Sequence, residues 1–481
     1  MAAHQQHPST PPGGVGTDTR RDDGGGLTGA VVVVALVSAI SGLLYGYDTG
    51  IISGALLQIT DEFGIGTGWE QVIAASILAG AVVGALVCSR LGERRGRRGT
   101  LLVVAVVFVV GALAASLAPD PVTLSLSRLV LGFAVGGATQ TAPVYVAELA
   151  PTRYRGRLVL CFQIAIGVGI VIATLIGASR SIDWRVAVGA ASVPAALMLA
   201  LMLRLPESPR WLVGAGQVER ARESLARVRP SGTDVSGELD DIGTLVRAES
   251  EASTRGWRGL REAWVRPALV VGCGLAVFTQ LSGIEMIVYY SPTILTDNGF
   301  SDSAALRVSV ALGLTYLITQ LIGLAVIDRV GRRRLTLLTL PGAALSLIVL
   351  GTFFVTGNDG QEQVPYIVAT LIAFMAFTAG GIQLMGWLTG SEIYPLATRA
   401  AGAAAQSASL WSTNLLITLT LLSTIETIGT GQTFWLYALF NIAGFVFLYR
   451  RMPELTGRSL EQIEGQLAQG RFRPADFARA R

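Results

Sequence analysis

Apolar runs of about 20 residues recur along the whole chain, each long enough to cross a hydrocarbon core of about 30 Å as a helix. No other feature constrains the fold as strongly. The 481 residues are 51% hydrophobic and only 15% charged, against about 25% charged in a typical soluble domain. Mean hydropathy is +0.54. The chain reads as an all-α membrane protein.

Twelve spans are predicted, with cores at 30–56, 71–89, 100–118, 122–147, 158–179 and 184–204, then 267–290, 304–327, 335–356, 365–390, 402–424 and 432–450. The basic residues set sidedness. "SRLGERRGRRG" (89–99), "PTRYRGR" (151–157), the segment 204–266, "DRVGRRRL" (328–335), Arg399 and "YRRMPELTGR" (449–458) fall on one side. Opposite loops such as "APDP" (118–121) and "TGNDG" (356–360) lack Lys and Arg. The basic side is the cytoplasmic one, which puts both termini inside a cell membrane. The same clustering argues against nucleic-acid binding as the meaning of pI 9.1.

The layout is a disordered cytoplasmic tail (1–29), a six-helix bundle (30–204), a cytoplasmic linker with short helices (205–266), a second bundle (267–450) and a cytoplasmic C-terminal helix and tail (451–481). Residues 1–29 are rich in Gly, Pro, Thr and Asp, a composition that builds no core. The first apolar run starts too late, and is too long, for a cleavable signal peptide. Cys88, Cys161 and Cys273 lie in apolar runs without metal spacing, and His4 and His7 are both in the tail. The body offers no imidazole, no nucleophile motif and no metal cluster, so an enzyme is not expected.

The two halves echo each other. "ERRGRR" (93–98) follows the second span and "DRVGRR" (328–333) the eighth; "ELAPTRYRG" (148–156) follows the fourth and "EIYPLATRA" (392–400) the tenth. Both pairs are about 235–245 residues apart, so duplication explains them better than chance. Glu93, Arg94, Glu148 and Arg155, with Asp328, Arg329, Glu392 and Arg399, put acids and bases at one membrane face in both halves. They form a candidate latch whose ion pairs break when the halves rock.

The ordered set of "YGYDTGIISG" (45–54), "GERRGRR" (92–98), "RLVLGFAVGG…PVYVAELAPTRYRGRL" (128–158), "PESPRWL" (206–212), "QLSGIEMIVYYSP" (280–292), "DRVGRR", "WLTGSEIYP" (387–395) and "PELTGRSLEQIE" (453–464) resembles the sugar porters of the major facilitator superfamily. The resemblance covers nearly all of residues 30–465. It implies two pseudo-symmetric six-helix bundles around a central cavity, alternating access, and short cytoplasmic helices. "GQVERARESLARV" (216–228) and "SLEQIEGQL" (459–467) fit the last of these.

An ionised Asp near the centre of a span costs roughly 2.5–3.5 kcal/mol on insertion scales, and Asp48 sits near the middle of the first. The resemblance implies that Asp48 is a proton site and Arg128 its partner. A carboxylate that alternates between pairing and release links proton occupancy to conformation. A simple packing role for the pair is the alternative. The same resemblance assigns Gln163, Gln280, Trp387 and Asn414 to a sugar pocket and Tyr289 and Tyr290 to an outer gate. Amides and aromatic faces suit vicinal hydroxyls and C–H surfaces.

Four positions depart from the family pattern. Thr279 stands for the first of two glutamines, Glu285 for an Asn, Leu410 for a Gln, and "QLMGW" (383–387) for GPxxW, with Leu384 at the Pro. Thr279 and Glu285 are kept as candidate pocket residues. Glu285 can recognise a neutral sugar or polyol when protonated, can select a basic substrate when charged, or can simply pack. The expected function is proton-coupled uptake of a monosaccharide or polyol by a monomer in the lipid bilayer, with no cofactor besides the proton as coupling ion. Alternatives are a proton-coupled exporter of a sugar-like or amino-bearing metabolite and a non-transporting sugar sensor.

Overall fold

A computed structural model describes residues 27–179, 181–252, 256–357, 362–458 and 460–477. Most of the predicted N-terminal tail, residues 1–26, and the last four residues lie outside these. The first half contains α1 (Gly29–Phe63), α2 (Thr67–Arg95), α3 (Arg97–Ser116), α4 (Pro121–Leu149), α5 (Arg155–Gly177), α6 (Trp184–Gly189) and α7 (Ser192–Arg204). The linker carries α8 (Pro209–Gly214), α9 (Val218–Val228), α10 (Ser236–Ala252) and α11 (Gly256–Gly259). The second half contains α12 (Arg266–Leu281), α13 (Ile284–Asp297), α14 (Asp302–Val330), α15 (Arg332–Val355), α16 (Val364–Ala379), α17 (Ile382–Glu392), α18 (Arg399–Ile428) and α19 (Thr430–Arg451), with α20 (Leu460–Ala468) after it. Twelve segments are long and apolar enough to cross a membrane.

The helices run past the predicted apolar cores, because a helix does not stop where the hydrocarbon ends. α1 continues from the expected end at 56 through Thr60, Asp61 and Glu62 to Phe63. It is capped at its start by the Thr28 hydroxyl, which accepts from the Val31 N–H, and closed by Gly64 at φ +59°. At 1.5 Å per residue it is about 52 Å long.

The first bundle is drawn together by small residues. Gly42, Gly46, Gly50 and Gly54 repeat every fourth position on α1 and face α5. A Cβ on Gly46 would lie 1.9 Å from the Ile166 carbonyl oxygen. Backbone-to-backbone contact of this kind is how helices associate where lipid removes the hydrophobic drive.

In the first bundle the sixth span, expected to be continuous, divides at Ala190–Ala191; the second bundle has two such breaks. Its seventh and tenth spans are each broken in two, where continuous helices were expected. The seventh breaks at Ser282–Gly283, with Gly283 at φ +92°. The tenth breaks at Gly380–Gly381. Paired small residues inside an apolar run kept the hydropathy of a span while releasing its ladder. The freed groups find partners, as hydrocarbon demands. Asn441 on α19 donates to the Ser282 carbonyl (2.9 Å) and to that of Tyr437 (2.8 Å). Thr279 donates to the Leu275 carbonyl (2.8 Å) and lies 3.3 Å from the Ile382 carbonyl oxygen, stitching one break to the other.

At the face that carries the linker, the two halves repeat one device. Gly96 (φ +88°) and Gly331 (φ +98°) turn the chain between helices. In the first half, Glu207 accepts from the N–H groups of Arg97 (2.8 Å) and Arg98 (3.0 Å) at the start of α3. In the second, Glu454 accepts from those of Arg332 (2.9 Å) and Arg334 (3.3 Å) at the start of α15. Each carboxylate sits on the positive end of a helix dipole.

Candidate functional site

Arg128 on α4 is completely buried, and its guanidinium faces Asp48 on α1. The terminal nitrogens lie 3.3 and 3.5 Å from the two carboxylate oxygens, and Nε donates to the Ile73 carbonyl of α2 at 2.9 Å. Three helices of the first half thus hold one loose, two-pronged pair in a dry setting. Removing one partner of such a pair leaves an uncompensated charge, which costs about 3–5 kcal/mol.

Across from it stand the broken helices. Glu285, in the first turn of α13, is 4% exposed. Gln383, in the first turn of α17, donates to it at 3.4 Å. No basic side chain pairs with Glu285 among the described residues. The hydroxyl of Tyr316 on α14 lies beside Gln383, and that of Tyr289 lies beside Thr49, next to Asp48. Tyr289 thereby links the proton-site candidate on α1 to the segment carrying Glu285.

An aromatic cluster spans the two halves. Tyr45 on α1 meets Trp411 on α18 with centroids 5.5 Å apart and Trp387 on α17 at 6.5 Å; the two tryptophans are 5.9 Å apart. Within the spans, several buried polar atoms have no partner among the described residues: Gln163 Nε2, Asn414 Nδ2, Trp411 Nε1, Gln280 Oε1, Gln383 Oε1 and both amide atoms of Gln320. Gln320 stands against α5 at Gly167, one turn from Gln163.

Of the expected pocket residues, Trp387 belongs to the aromatic cluster, Glu285 accepts from Gln383, and Gln163, Gln280 and Asn414 each keep a buried amide atom without a partner among the described residues. Thr279 is used differently: its hydroxyl is spent on backbone carbonyls at the helix breaks. Tyr290, expected at a gate, donates to the Thr418 carbonyl within its own half at 3.0 Å. On the face away from the linker the halves are joined instead by Gln71, which donates to the Ser423 hydroxyl at 2.7 Å, and by Thr67 with Glu426. Tyr45, Tyr316, Gln320, Gln383 and Trp411 escaped the sequence reading. For the two glutamines a signal existed, since an amide within an apolar run also needs a partner or a task.

The latch residues pair within each half in this structure. Glu148 meets Arg97 at 3.0 Å, and Glu392 meets Arg332 at 3.1 Å. Asp328 also meets Arg332, at 2.8 Å. The basic partners are therefore Arg97 and Arg332 rather than Arg94 and Arg329, which are exposed. The left-handed glycine before each of these arginines is the reason: it turns the first residue of the next helix back toward the acid. Arg399 donates to the Tyr394 carbonyl (3.3 Å), while Arg155 opens α5 and Glu93 accepts the Trp211 indole N–H at its own carbonyl.

Comparison with known proteins agrees with this arrangement. Residues 34–467 match the family described as sugar (and other) transporter. The chain is 36% identical to the D-xylose transporter of Levilactobacillus brevis, covering 90% of this chain and 95% of that one. It is 34% identical to the major myo-inositol transporter IolT of Bacillus subtilis, covering 90% and 93%. The proton:xylose symporter XylE of E. coli, solved bound to 6-bromo-6-deoxy-D-glucose, superposes with a TM-score of 0.77 at 26% identity, covering 91% and 99%. A multi-pass membrane protein with the major facilitator fold, a transporter and not an enzyme, this chain belongs to the sugar transporter family.

Proposed function

We propose that the chain carries a monosaccharide or polyol into the cell by alternating access, driven by a proton taken at Asp48, with both termini cytoplasmic. The observation that carries the substrate class is the set of partnerless donors and acceptors between the halves. Amide N–H groups of Gln163 and Asn414 and the Trp411 indole lack acceptors, and the Oε1 atoms of Gln280 and Gln383 lack donors, among the described residues. A buried group left without a partner costs about 1–3 kcal/mol. A ligand whose every hydroxyl both donates and accepts removes that cost in both directions, and the Tyr45, Trp387 and Trp411 rings offer surface for its C–H faces. Similarity to transporters described for xylose and myo-inositol supports the same class.

Proton coupling rests on Asp48 and Arg128. Protonation of Asp48 releases Arg128 from its only charged contact in the pair, and the balance between the two states is what rocking of the bundles changes. In the cytoplasm-closed state the acids and arginines of the linker face re-pair between the halves and act as the latch. Substrate added to energy-depleted cells is expected to alkalinise the medium. Asp48→Asn should lose accumulation and retain substrate counterflow. Concentrative uptake by that variant at the wild-type level defeats the coupling assignment. A second reading, transport of an amino-bearing metabolite, draws on Glu285, a buried carboxyl with no cation beside it.

A further inference from the structure

We infer that a second site, apart from the central one, takes a phosphate-bearing anion at the linker face of the second half. A cavity of about 390 Å³ opens there between the α14–α15 turn and the C-terminal segment. Its lining includes Arg329, Arg333, Arg334, Glu454, Pro474 and Phe477. Pockets for organic ligands begin at about 300 Å³.

The charge in this cavity is unbalanced. Both acids on its wall are already engaged. Glu454 accepts from the backbone N–H groups of Arg332, Arg334 and Thr456 and from the Thr456 hydroxyl (2.8 Å), and Asp328 accepts from Arg332. Arg329 and Arg334 are exposed, and their guanidinium groups have no partner among the described residues. Arg333 donates at one end to the Tyr449 carbonyl (2.9 Å), while its Nε–H is buried and unsatisfied. Three planar guanidinium forks with donors to spare match the oxygens of a phosphate group.

The far wall is fixed and apolar. Arg458 lies 4.8 Å over the Phe477 ring and donates to its carbonyl at 3.1 Å; the Phe472 ring meets that of Phe477 at 5.6 Å. A site with arginines on one side and Pro474 and Phe477 on the other suits a phosphate ester better than a bare ion. The repeat does not impose it. In the first half the corresponding turn is covered by α8, whose Trp211 indole donates to the Glu93 carbonyl at 2.8 Å. Tyr449, on the last turn of α19, is 58% exposed and is followed by exposed Arg450 and Arg451. This sequence marks the level where an apolar belt gives way to headgroups. The ester therefore has two sources, an anionic lipid headgroup or a soluble phosphate ester.

The test is thermal unfolding of the full-length protein in neutral detergent, titrated with short-chain phosphatidylglycerol, short-chain phosphatidylcholine and glycerol phosphate. Saturable stabilisation by phosphatidylglycerol alone assigns a lipid; stabilisation by glycerol phosphate as well assigns the headgroup chemistry to either source. Arg333→Gln/Arg334→Gln should weaken the effective ligand at least about tenfold, and Arg333→Lys/Arg334→Lys, which keeps the charge without the planar fork, should restore only part of it. Pro474→Glu, which leaves the arginines in place and adds a carboxylate, should weaken it too. The inference is overturned when phosphatidylcholine acts as strongly as phosphatidylglycerol, when no probe titrates, or when the Gln pair and Pro474→Glu bind as the wild type does.

Discussion

The two bundles share a plan and differ in where their helices break. The first closes on a glycine seam along α1 and holds the Asp48–Arg128 pair within unbroken helices. The second breaks two helices at mid-span and places Glu285 and Gln383 in the first turns after the breaks. One half thus keeps a charge pair in fixed geometry, while the other supplies backbone and side chains able to adjust. Discontinuous helices at the centre of a carrier are where substrates bind. The two halves echo each other in sequence, and the candidate site lies where their helices differ.

The largest effect expected from breaking this contrast is at Arg128. Arg128→Leu strands the Asp48 carboxylate and should cost about 3–5 kcal/mol of stability, read as a lowered Tm. Adding Asp48→Asn to the same chain should recover most of the loss. A double variant no more stable than the single would show that Asp48 and Arg128 do not depend on each other for stability.

Next in size is Glu285→Gln, which keeps shape and removes charge. A cationic substrate should lose about 1.5–3 kcal/mol, roughly 10–150-fold in affinity, while a neutral sugar or polyol should bind nearly as before with weaker pH dependence. Binding of both substrate types between about pH 5 and 8, around neutrality, separates the readings. No change in either would remove Glu285 from the site.

Gly46→Ala then tests the seam. The new methyl meets the Ile166 carbonyl oxygen at 1.9 Å, whereas at Gly380, beside the tenth-span break, the nearest atom is 3.0 Å away. Overpacking costs about 1–3 kcal/mol, so Gly46→Ala should lower Tm clearly and Gly380→Ala far less. Equal losses would mean that the halves are equally tight.

The smallest effect should fall on the shared device. Glu207→Gln and Glu454→Gln each remove a charge from a helix N-terminus, worth about 0.3–1 kcal/mol. Their Tm shifts should match, and a marked difference would show that the cytoplasmic-face repeats have stopped being equivalent.

Much of this was legible in the residues. Twelve spans followed from run length, Asp48 from the expense of charge in an oily stretch, and Arg128 from the family resemblance. The breaks did not follow, because Ser282–Gly283 and Gly380–Gly381 barely alter hydropathy; their effect lies in φ and in lost ladder bonds. Nor did the latch register, which depends on the left-handed glycines at 96 and 331 rather than on the order of acids and bases. Trp411 and Tyr45 stayed hidden because an aromatic in a span looks the same whether it packs against lipid, core or ligand.

The confinement of Asp48 and Arg128 to one bundle has an electrical consequence. Ionised together they form a dipole with no net charge, so the bundle that carries them moves through the membrane field without doing electrical work on their account. In the proton-coupled cycle proposed above, protonating Asp48 leaves Arg128 as a full positive charge riding on that bundle. A membrane potential acts on such a charge with about 2.3 kcal/mol per 100 mV for the whole field, and with a share of that for a partial displacement. Voltage would then drive the loaded carrier inward and leave the return of the empty one nearly untouched.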